Sequence, residues 1–81
     1  MYRLYIVHTD SNDKTQTEYY PNLTRRQVNS MIDRYCELAS PDIDKNNNLY
    51  WQLRDHRTDM TLIDNDTNKT ITTSNNRLLK P

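Results

Sequence analysis

The chain contains no glycine in 81 residues. Tight turns and positive-φ positions ordinarily fall to glycine because it has no Cβ. Here they must fall to Asn and Asp, which tolerate left-handed backbone and bond their own turns through the side chain. Asn, Asp and Thr together fill 29 of the 81 positions. Turns are therefore expected where Asn and Asp cluster, at 10–14, 42–48, 55–59 and 64–69. The same absence removes whole classes of chemistry. A phosphate loop, a dinucleotide fingerprint and a GxSxG nucleophile elbow all need glycine where the backbone turns sharply or approaches a ligand.

Between these turns the residues are periodic. From Tyr2 to Thr9, Tyr2, Leu4, Ile6 and His8 alternate with Arg3, Tyr5, Val7 and Thr9, and 15–20 alternates again, which predicts a hairpin ended by Pro21. Thr24 with Gln27 three residues on forms a capping box, and Leu23 and Val28 occupy the staple positions, so a helix starts at Arg25. Val28, Met31, Ile32, Tyr35 and Leu38 share one helical face up to Ala39, and Ser40 before Pro41 stops the helix. Leu49, Trp51 and Leu53 alternate with Tyr50, Gln52 and Arg54 as a third strand, and 60–63 and 70–73 read as shorter ones. The order ββαββ(β) predicts an α+β fold, a small antiparallel sheet of four to five strands with one helix packed on one face. It occupies 1–73 as a single domain, with 74–81 as a tail. The helix should cover Leu4, Ile6, Tyr19, Leu49, Trp51 and Leu53. The other face is then left with Arg3, Tyr5, Val7, Glu18, Tyr20, Tyr50, Gln52, Arg54 and His56.

The core is thin: 27 residues are hydrophobic, and Leu, Ile, Val and Phe number 15. Disorder would also demand a large net charge, whereas 11 basic residues balance 11 acidic ones. Cys36 is the only cysteine, so no disulfide can staple the fold within the chain, and no apolar run reaches the length of a membrane span. These features point to a cytoplasmic protein that does not enter a membrane.

The candidate chemistries fail on their residues. Asp42, Asp44, Asn46 and Asp64, Asp66, Asn68 open like calcium loops, but position six holds Asn47 or Lys69 and position twelve holds Leu53 or Asn75, where glycine and a bidentate glutamate are needed. Cys36 lies beside the buried stripe of a helix, while His8 ends a strand and His56 sits in a turn, which suits neither a Cys–His nucleophile nor a zinc site. The expectation is no metal, no cofactor and no enzymatic activity.

What remains is the open face. Tyr and Arg are the residue types that anchor protein interfaces, and Tyr5, Tyr20, Tyr50 and Arg54 are assigned to that face. Arg25 and Arg26 stand in the first turn of the helix, where the macrodipole disfavours cations unless a carboxylate such as Glu18 or an acidic partner compensates. This reading is a non-enzymatic protein-interaction module that binds a second copy of itself or a host protein. The compositional bias suggests, by association, a regulator or inhibitor encoded by a phage or plasmid. The alternative is a sheet that binds RNA or another single-stranded nucleic acid, stacking bases on the tyrosines. Zero net charge opposes it, and 42–66 holds six acidic residues against three basic.

Overall fold

The structure, a computed structural model, describes residues 1–46 and 48–71. Strands β1 (Tyr2–Asp10) and β2 (Thr15–Leu23) form the first hairpin. Its turn shows how the chain manages without glycine. Asp13 adopts φ 62°, its N–H donates to Asp10 O at 3.0 Å, and the Asp10 N–H donates to Lys14 O at 3.0 Å. The Asp10 carboxylate accepts the backbone N–H groups of Asn12 and Lys14 at 2.9 and 3.0 Å. The other positive φ among the described residues is Asn68, at 58°, in a turn where Asp64 plays the same accepting role.

Strand β2 does not stop at Pro21. Tyr2 faces Leu23 while Leu4 faces Tyr20, so three steps of β2 oppose two of β1 and the extra residue forms a bulge at the proline. A proline lacks the N–H a central ladder needs, and β2 is an edge strand.

Helix α1 (Arg25–Cys36) begins at the capping box read from the sequence: Gln27 N–H donates to Thr24 Oγ1 at 3.1 Å and Thr24 N–H to Gln27 Oε1 at 2.9 Å. It ends earlier than the expected Ala39. Glu37 is the C-cap, and Leu38 N–H closes a tighter turn onto Tyr35 O at 2.9 Å. Leu38 is consequently 65% exposed and leaves the predicted core stripe.

Strands β3 (Asp42–Ile43), β4 (Leu49–Gln52), β5 (His56–Asp64) and β6 (Lys69–Ile71) complete one antiparallel sheet of order β2-β1-β5-β4-β3, with β6 beside the second half of β5. The α+β class stands, with one helix on one face among the described residues. Among the described residues the sheet has six strands, because the Asp42 loop contributes a short one; β5 is longer than expected and starts at His56, inside the expected turn. Residues 74–81, read as a tail, lie outside the described residues.

The core lies between α1 and the sheet: Leu4, Ile6, Val28, Ile32, Leu49, Trp51, Met60 and Leu62 are all buried, as is the polar Thr58. Cys36 and Tyr35 pack against its margin. Among the described residues no helix is long and apolar enough to cross a membrane.

Candidate functional site

Cross-strand partners share a face, so the pairing decides which side chains stand opposite the helix. Tyr5 faces Tyr19, Val7 faces Thr17 and Asp59, and Asp59 also faces Tyr50. The open face therefore carries Tyr5, Val7, Thr17, Tyr19, Tyr50, Arg57, Asp59 and Thr61. Leu4 faces Tyr20 and Ile6 faces Glu18, which puts Tyr20 and Glu18 under the helix. The expected positions of Tyr19 and Tyr20 are thus exchanged. Tyr20 packs against the core, and Tyr19 is 50% exposed on the opposite side.

Two ring arrangements organise this face. Tyr5 and Tyr19 stack with centroids 4.7 Å apart and planes at 28°. They occupy a pair without backbone hydrogen bonds of its own, the kind in which side chains approach most closely. Across the sheet the Arg57 guanidinium carbon lies 3.8 Å from the centroid of Tyr50. Arg57 is held there by a forked contact to Asp59, Nε at 3.1 Å from both oxygens and Nη2 at 2.9 Å from Oδ1. Hydrogen bonding to that carboxylate raises the Arg57 pKa above its ordinary value. The Tyr50 hydroxyl donates to Asp42 Oδ2 at 3.3 Å.

Of the residues singled out from sequence, Tyr5 and Tyr50 stand on this face. Arg54 does not: it is exposed in the tight turn between β4 and β5, closed by Leu53 N–H to His56 O at 2.9 Å. Leu53, assigned to the buried face, follows the end of β4 and is half-buried. Arg25 and Arg26 are exposed at the start of α1, on the other side of the sheet, and neither pairs with a carboxylate among the described residues. Glu18 forms no ion pair with them; its oxygens bond His8 and the Tyr20 hydroxyl under the helix. Sequence reasoning missed Tyr19 and Arg57. The signal for Arg57 was present, since Arg57, Asp59 and Thr61 alternate with Thr58, Met60 and Leu62 at a period of two.

The engagement of Glu18 forms a second constellation. Thr58 Oγ1 lies 2.9 Å from His8 Nδ1, His8 Nε2 lies 2.6 Å from Glu18 Oε2, and the Tyr20 hydroxyl donates to Glu18 Oε1 at 2.6 Å. These bonds, led by the one from Tyr20, hold the Glu18 carboxyl below the usual range, and the same bond raises Tyr20. His56, expected on the open face, lies here instead, its ring 6.0 Å from that of His8, and its Nδ1 donates to Asp55 Oδ1 at 2.8 Å. An open depression of about 470 Å³ runs beside them, with Asp10, Lys14 and Gln16 on its walls. Among the described residues no three His, Cys, Asp or Glu side chains are grouped to hold a metal. In the Asp-rich loops, Asp44 Oδ1 accepts the N–H groups of Asn46 and Asn48, and Asp64 Oδ1 that of Asp66. These oxygens cap their own turns.

No protein-family model matches the chain, and no curated protein or solved structure matches it either.

Proposed function

We propose that this chain is a small non-enzymatic protein-interaction module whose contact surface is the sheet face opposite α1, centred on Tyr5, Tyr19, Tyr50 and Arg57. The observation that carries the reading is that these side chains are already fixed: one tyrosine pair is stacked, and the arginine is clamped over the other ring by Asp59. Ordering long side chains is a major cost of association, and groups held in place before contact avoid much of it. Tyr and Arg are also the residue types that dominate interface energetics.

The nucleic-acid reading is weaker on the same geometry. Tyr5 and Tyr19 each cover one face of the other, which halves the ring surface open to a base, and the charge of Arg57 is offset by Asp59. A regulator or inhibitor encoded by a phage or plasmid, acting in the cytoplasm by occupying a host protein's surface, fits a domain with this face and a single part-buried cysteine.

The test is affinity capture from lysate of the native host, read by mass spectrometry with and without nuclease. A host protein retained after nuclease treatment and at high salt, and weakened by about 2 kcal/mol or more on Tyr50→Ala, supports the module. Capture of RNA alone, released at high salt, overturns it in favour of nucleic-acid binding.

A further inference from the structure

The two edges of the sheet are unequal. One is divided between β3, two residues long, and β6, three residues long, while the other is β2, nine residues long and exposed over most of its length. The hairpin fixes which backbone groups of β2 are unpaired. Asp10 N–H bonds Lys14 O, and along an antiparallel ladder bonded and non-bonded pairs alternate. Gln16, Glu18 and Tyr20 therefore bond to β1, and Thr15, Thr17 and Tyr19 direct their N–H and C=O groups off the sheet.

Natural sheets blunt such an edge with charge, proline or a bulge. Here Pro21 and the bulge lie at one end, beyond the segment 15–19. The single charge within that segment, Glu18, is bonded to His8 and Tyr20. The segment is also self-complementary. Under a two-fold axis through Thr17, Thr17 faces Thr17 of a second copy, Thr15 faces Tyr19 and Gln16 faces Glu18, with no like charges opposite. Threonine and aromatic cross-strand pairs of this kind favour pairing. The axis stands perpendicular to the sheet, so both helices lie on one side, and the chain leaves the edge for α1 only after Leu23, past the paired segment.

We propose that β2 pairs antiparallel with β2 of a second copy of this chain about Thr17, through about six backbone hydrogen bonds, giving a dimer with one continuous sheet. The two ring-bearing faces then merge into a single surface with both Tyr5–Tyr19 stacks near its centre. The inference stands apart from the proposed partner-binding role of the rings, since it uses the backbone of β2.

Sedimentation of the full chain from micromolar to millimolar concentration tests it. The wild-type mass should rise toward twice that of one chain. Thr17→Pro removes an outward N–H and none of the bonds to β1, so it should keep the circular dichroism of the wild type and weaken association about tenfold or more. Thr17→Lys and Thr17→Glu each place like charges across the axis and should be monomeric alone, and mixing them should restore the dimer. A wild-type chain that stays monomeric at millimolar concentration overturns the proposal. So does a dimer that both charge variants retain, or one abolished by Tyr50→Ala but not by Thr17→Lys, which would place self-association on the rings.

Discussion

Glu18 receives two hydrogen-bonding partners under the helix: His8 Nε2 approaches one carboxylate oxygen at 2.6 Å, and the Tyr20 hydroxyl approaches the other at 2.6 Å. The Tyr20 bond first, and the His8 bond after it, hold the carboxyl below its ordinary range in the folded state. A carboxyl depressed by folding contributes stability that is fully present above the unfolded-state pKa and is lost as pH falls through the folded one. The denaturation midpoint should therefore drop as pH is lowered through and below the usual carboxylate range. Glu18→Gln should flatten that part of the profile in urea titrations at a series of pH values. An unchanged profile would mean the network does not form in solution.

Ile32 is 2% exposed and sits in the centre of the helix–sheet contact. Ile32→Ala should cost about 2 to 5 kcal/mol by denaturant titration. Leu38→Ala, on the exposed turn after α1, should cost less than about 0.5 kcal/mol. Equal losses at the two positions would place the end of the helix wrongly.

Asp13 occupies the left-handed region at φ 62°. Asp13→Ala should destabilise by roughly 1 kcal/mol, because alanine adopts left-handed backbone less readily than Asp. Asp13→Gly should be close to neutral, because the relief at positive φ is offset by the greater freedom of glycine in the unfolded chain. A harmless alanine would show that the turn has another conformation.

The stacked tyrosines should be coupled. A double-mutant cycle of Tyr5→Ala and Tyr19→Ala, read by stability, should give about 0.5 to 1.5 kcal/mol of interaction energy. Additive losses would indicate that the rings are apart in solution.

The helix start was legible because Thr24 and Gln27 bond each other locally, and β1 because its apolar residues alternate with polar ones. The facing of β2 was not. Tyr19 and Tyr20 are equally suited to a buried and an open face, so alternation cannot tell them apart. What decides is the register set by the hairpin, through the backbone of Asp13 and the bond from Asp10 to Lys14. Arg54 and His56 were misplaced for a related reason. The run from Asp55 to Asp59 is polar enough to read as a turn, yet His56 and Thr58 point inward to His8 while Arg57 and Asp59 pair on the open face. Arg25 and Arg26 were correctly placed in the first helical turn, but a helix packed on the other side of the sheet cannot bring them to the rings.

A backbone that enters the left-handed region at Asp13 and Asn68 without glycine has a consequence for the denatured ensemble. Glycine roams more of φ/ψ space than any other residue when unfolded, and replacing it at a compatible site stabilises a protein by about 0.4 to 1 kcal/mol through that state alone. With no glycine anywhere, this chain starts from a narrower set of unfolded conformations, and its small core works against a correspondingly smaller loss of chain freedom.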